Sequence, residues 1–201
     1  MGRYRLLRSV LVLGLGCGLS VALFQTAVDA QGQAPGPAGA GPGNQTFSVT
    51  ARLRGFQEVP TLSTRARGSF QAEVTRDAIQ FQLTYQDLEG TATVAHIHFD
   101  QRHVATPGNI IAFLCGGAPP QSNKPPCPPA GTVTGTITAA DVIGPAGQGI
   151  APGEFREMVR AMRAGVTYAN VHSTTFPNGE IRGQIRRVEV PPPPEEVEDD
   201  S

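Results

Sequence analysis

Apolar residues recur at every second position through much of the chain. Phe47, Val49, Ala51 and Leu53 alternate with polar neighbours, and Phe70, Ala72 and Val74 repeat the pattern. Ile79, Phe81, Leu83 and Tyr85 follow a turn at Arg76-Asp77, and Ala95, Ile97 and Phe99 continue the series. Further extended runs are Ile110–Leu114, Thr132–Thr138, Val166–His172 and Glu180–Val188. Successive side chains of a strand point to opposite faces, so this alternation predicts antiparallel strands with one apolar face each. About eight such strands joined by short connections predict an all-β fold, a Greek-key β-sandwich or barrel.

One segment has a different period. In GEFREMVRAMRAG, Phe155, Met158, Val159 and Met162 stand at i, i+3, i+4 and i+7, with Arg156, Arg160 and Arg163 elsewhere on the wheel. Gly165 is placed to end the helix in a left-handed conformation. The segment reads as one short amphipathic helix packed on the β-core. Its methionines have core spacing and read as packing rather than as thioether ligands.

The polar positions carry the candidate chemistry. The chain has four histidines, and two of them, His96 and His98, are one residue apart within VAHIHFD. Alternate residues of a strand share a face about 6.5–7 Å apart, so these two rings lie together, opposite Ala95, Ile97 and Phe99. In Val166–His172 the less polar set is Thr167, Ala169 and Val171, which turns His172 away from the core as well. The next strand has Ile181, Gly183 and Ile185 on one face and Glu180, Arg182 and Gln184 on the other. Cross-strand partners share a face, so consistent patterning needs an odd-length loop around Thr175–Gly179. That loop brings Glu180 and Arg182 beside His172. His96, His98 and His172 then form a candidate metal site, with Glu180 as a further ligand or an orienting group. Three imidazoles with an open position suit copper or zinc. The alternative is three hydrogen-bonded surface histidines. His103 falls in a loop and reads as solvated. Ser173 follows His172 directly, and strand neighbours point oppositely, so the two make a poor nucleophile–base pair.

The chain ends have another composition. Arg3, Arg5 and Arg8 precede an apolar stretch from Val10 to Phe24, and Val28-Asp29-Ala30 offers small residues for cleavage. Residues 1–30 therefore read as a secretory signal peptide, which leaves no membrane span in the mature chain and places it in the periplasm or medium. Residues 31–45, QGQAPGPAGAGPGNQ, read as a flexible spacer, and 189–201 as a Pro-rich acidic tail. Between them lies one domain, 46–188. Lys and Arg number 16 against 17 Asp and Glu, with no basic patch, so nucleic acid is not an expected partner. Removal of Cys17 with the signal leaves Cys115 and Cys127, which read as one disulfide in an oxidising compartment. By loop entropy that bond stabilises by about 2–3 kcal/mol. Free thiols or metal thiolates are the alternative.

Several short stretches resemble the CHRD (chordin-type) domain. They are FQEVP at Phe56–Pro60, AHIH at Ala95–His98, and GxIxxxLC at Gly108–Cys115. AGxxYxNVHS at Ala164–Ser173 and FPNGEIRGQI at Phe176–Ile185 complete the set. The resemblance spans nearly all of 46–188 and implies an exported β-domain, as found in bacteria, without a settled activity. The chain is also similar to copper/zinc superoxide dismutases, Greek-key barrels with an HxH copper pair and a later copper histidine. His96, His98 and His172 match those positions, but a bridging histidine and a zinc cluster are missing. The expectation is thus a binding module that holds one copper-type ion. The alternatives are a non-metal domain for an extracytoplasmic protein or polysaccharide, and a mononuclear copper enzyme.

Overall fold

The computed structural model describes residues 46–104 and 109–189. The segments expected to be a signal peptide and a spacer, and nearly all of the expected acidic tail, lie outside these residues. The strands are β1 (Phe47–Arg54), β2 (Arg67–Val74), β3 (Ile79–Gln86), β4 (Ala92–Phe99), β5 (Ile110–Gly116) and β6 (Gly131–Ile137). Helix α1 (Phe155–Arg163) comes next, then β7 (Thr167–Ser173), β8 (Ile181–Gln184) and β9 (Arg186–Arg187). In β1 every odd residue is buried and every even one exposed, as the alternation predicts.

The strands pair in the order β5-β4-β7-β8-β1-β2-β3-β6, all antiparallel, and the sheet curls into a nearly closed barrel. Counted across the gap between β6 and β5, the β3–β4 and β6–β7 connections each pass over two strands, which is Greek-key topology. No ladder among the described residues joins β5 to β6. The loop between them fills this seam. Cys115 at the end of β5 is bonded to Cys127, with Cα atoms 5.0 Å apart. Gly116 N–H donates to Pro125 O at 2.7 Å, Tyr85 O–H donates to Pro128 O at 2.5 Å, and Lys124 Nζ reaches Thr136 O at 2.9 Å. The first and third contacts satisfy backbone groups of the edge strands β5 and β6 that an open barrel edge would leave unpaired.

Helix α1 buries Phe155, Met158, Val159, Ala161 and Met162, so both methionines are core packing. Gly165 takes φ 69°, and Val166 N–H closes back on Ala161 O at 3.1 Å. The predicted strand Glu180–Val188 is divided. Its first part pairs with β7, and after buried Ile185 its second part pairs with β1. The hairpin register sets Asn170 opposite Arg182 and Val171 opposite Ile181, the even-with-even pairing that an odd loop requires.

The main departure from the alternating pattern is on β4, β7 and β8, which are buried on both faces. Two connections lie across their outer side. From residues 55–66, Glu58 Oε1 accepts from Asn170 Nδ2 at 2.7 Å and Thr64 Oγ1 donates to Glu180 Oε1 at 3.0 Å. From residues 100–104, Gln101 O accepts from Arg182 at 2.8 Å and Asp100 O accepts from Gln184 at 3.0 Å. The polar outward residues of β7 and β8 hold these loops down, and the loops in turn take the histidines out of solvent.

Candidate metal centre

Strand β4 lies between β5 and β7. Its register sets His96 opposite Asn170, His98 opposite Tyr168 and Val94 opposite His172. His172 is therefore diagonal to His96 on the same outward face. Irregularities in the β4–β5 ladder fall between Ala95 and His96 and between Ile97 and His98. The two histidines thus stand where the ladder kinks, and bulges of this kind re-aim side chains.

All three rings converge. One nitrogen from each of His96, His98 and His172 lies within 4.8 Å of the other two. His96 Nδ1 is 3.2 Å from His172 Nε2. The ring centroids are 5.2 Å apart for His96–His98 and 5.0 Å for His96–His172.

The remaining nitrogens set the tautomers. His172 Nδ1 is 2.9 Å from Pro177 O. A carbonyl oxygen only accepts, so Nδ1 carries the proton and Nε2 presents a lone pair. His98 Nδ1 is 2.7 Å from Asn109 Oδ1. The amide orientation is secured at its other end, where Asn109 Nδ2 donates to Phe99 O at 3.2 Å and to Asp100 Oδ2 at 3.3 Å. His98 Nδ1 therefore donates, and its Nε2 is a lone pair. That Nε2 is buried and has no hydrogen-bond partner. A buried acceptor without a donor costs about 1–3 kcal/mol. A cation at the convergence point removes that cost.

The rings are held from both sides. The Phe113 ring stands edge-on to His96 at 4.6 Å. Tyr168 stacks parallel on His98 at 4.6 Å, and the Arg182 guanidinium lies 3.5 Å from the Tyr168 centroid on the next layer. His96 and His98 are 5 % and 7 % exposed, buried rather than on the surface as the alternative reading has them. The loops described above are the reason. Burial, and then the neighbouring histidines, push His96 down to about 2. Burial also pushes His98 down to about 4, against the opposing pull of the Asn109 hydrogen bond. His172 is lowered by burial. All three rings are neutral at pH 7 and chemically ready as ligands.

Glu180 is placed differently from the ligand role expected of it. It is fully buried, and its Oε1 accepts from Thr64 Oγ1 and from Glu89 N–H at 2.8 Å. No carboxylate or thiolate among the described residues joins the histidine group. Arg182 does lie in the neighbourhood, reaching it through Tyr168. His103 is exposed, with φ 62°. Ser173 Oγ accepts from Phe176 N–H and stabilises the β7–β8 turn. Asn109, Tyr168 and Phe113 were not singled out from sequence. Parity put Tyr168 on the histidine face, but nothing local marks Asn109 as the partner of His98.

Fold and site together define a class: a Greek-key β-barrel with a cluster of three histidines under its outer loops. The CHRD domain family model matches residues 49–185, and the chain belongs to that family. A comparison with curated proteins finds no match. The domain and the intrachain disulfide are consistent with an extracellular location. No helix among the described residues is long and apolar enough to cross a membrane.

Proposed function

We propose that this protein is an exported CHRD-domain module that holds one transition-metal ion, of copper type, through His96, His98 and His172. Zinc is the alternative ion. One observation carries the reading: one nitrogen from each of the three rings lies within 4.8 Å of the other two, and the tautomers of His98 and His172 are fixed by hydrogen bonds at Nδ1. Metal-bound histidines commonly have such an arrangement, in which a carbonyl or carboxylate takes the second N–H. Storage, buffering or delivery of the ion are the functions open to a site of this kind.

Metal analysis of protein isolated from periplasm or medium tests the proposal. About one ion per chain is expected for the wild type, and background for the H96A/H98A/H172A variant. Equal, substoichiometric metal in both would refute it.

A second reading is a non-metal interaction domain. The outer faces of β1, β2, β3 and β6 form a shallow hollow of about 730 Å³ whose walls include Ser48, Thr50, Gln71, Gln82 and Thr134. Hydroxyls and amides on a sheet, with Glu73 as the one charged side chain of the lining, are suited to a neutral polysaccharide or a polar protein surface. On this reading the triple-histidine variant keeps its partner, and glycan-array or pull-down binding is unchanged.

A further inference from the structure

The charge balance of the histidine site goes beyond the presence of an ion. We infer that the site is built to hold monovalent copper in preference to divalent copper or zinc, an inference that rests on the metal reading above.

The ligand set is three neutral imidazoles. No carboxylate or thiolate among the described residues lies close enough to join it. The carboxylates nearby are committed elsewhere. Asp100 Oδ2 accepts from Asn109 Nδ2 and Oδ1 from Gln101 N–H, and Glu58 Oε1 accepts from Asn170. Between them stands Arg182, a permanent cation fixed over Tyr168 and hydrogen-bonded to Gln101 O. Arg182 thus sets a positive charge behind the Tyr168 ring, which itself stacks on His98, on the far side from the metal position.

An ion entering this site keeps its full charge. The cost of moving an ion out of water rises with the square of its charge, so a dication is penalised far more than a monocation of similar size. Repulsion from the guanidinium, two layers away through the Tyr168 and His98 rings, is twice as large for the dication. Geometry favours the same choice. Three nitrogens converging from one face supply a complete set for a three-coordinate closed-shell ion. A divalent ion needs further donors, or an anion brought from solvent, to reach four or more.

The test is competition at pH 7 on the full mature chain. Anaerobic Cu(I) is held by an excess of a chromophoric Cu(I) chelator, and Cu(II) and Zn(II) by chelators of known affinity. Cu(I) is expected to bind at least 100-fold more tightly than Cu(II), which corresponds to a bound-copper potential about 120 mV above that of the free-ion couple. The H96A/H98A/H172A variant should lose all of this binding. Arg182→Met is expected to narrow the Cu(I):Cu(II) ratio about tenfold by removing the positive charge behind Tyr168. Arg182→Lys retains the charge and should retain the ratio, and it serves as the control where the Met variant unfolds. Histidine-dependent binding in which Cu(II) or Zn(II) equals Cu(I) overturns the inference and leaves the metal site standing. Absence of histidine-dependent binding for every ion overturns the metal reading itself.

Discussion

Asn109 decides which nitrogen His98 can offer. Its Oδ1 holds Nδ1–H at 2.7 Å, and its Nδ2 is anchored on Phe99 O and Asp100, so ring and tautomer are fixed together. Asn109→Leu removes that anchor without removing a ligand. The expected result is a 10–100-fold loss of Cu(I) affinity in chelator competition, with an unchanged far-UV spectrum. Glu58 makes a second residue-scale prediction. Burial, opposed by Arg182 and two hydrogen bonds, raises its carboxyl from 4.5 to about 7. The folded state therefore binds more protons than the unfolded chain between these values, so this residue's contribution to stability falls as pH rises from about 4.5 through 7. The change is on the order of 3 kcal/mol. Glu58→Gln cannot ionise. Urea midpoints at pH 5 and pH 8 should show the variant gaining on the wild type at the higher pH. An equal difference at both pH values would show that Glu58 ionises freely in the fold.

At the scale of elements, the seam between β5 and β6 is the weak line of the barrel. The Cys115–Cys127 bond, 12 residues apart, ties the loop that fills it to β5. Replacing both cysteines with Ala should cost about 2–3 kcal/mol in urea unfolding by the loop-entropy argument. Cys115 pairs with Ala95 in the core, on the face opposite to His96, so metal affinity should change little. The β8–β1 junction makes the opposite demand. A Cβ at Gly183 would run into the carbonyl oxygen of Arg52 on β1. Gly183→Ala should therefore destabilise by about 1–3 kcal/mol, as overpacking generally does. Thermal melts beside a substitution at exposed Gly147, where a Cβ meets nothing, check this.

For the whole molecule, an ion that binds the folded state and not the unfolded chain adds stability by mass action. At a free metal concentration 100 times Kd this is about 2.7 kcal/mol, or roughly 5–10 °C in Tm for a domain of this size. Calorimetry should show that rise in the wild type and not in H96A/H98A/H172A. The same scale decides how much was legible beforehand. Period-2 spacing located the strands because alternation is a property of each strand by itself. The parity of the Thr175–Gly179 hairpin placed Asn170 opposite Arg182 because register follows from counting. The burial of His96 and His98 was not legible, because the covering residues come from 55–66 and 100–104, and no local pattern records which sheet face a loop will cross.

By itself the sequence determined the extended and helical elements, the pairing of Cys115 with Cys127, and the family, since spacing and short motifs carry all of these. It also determined that His96, His98 and His172 share a face. Only the tertiary structure decided that those rings lose their water, that Asn109 and Pro177 fix their tautomers, and that Glu180 turns to Thr64 and Glu89 instead. The physical reason is that dielectric surroundings and hydrogen-bond partners are made by segments distant in the chain. A side chain's type is written locally, while the charge it can carry is set by what folds over it.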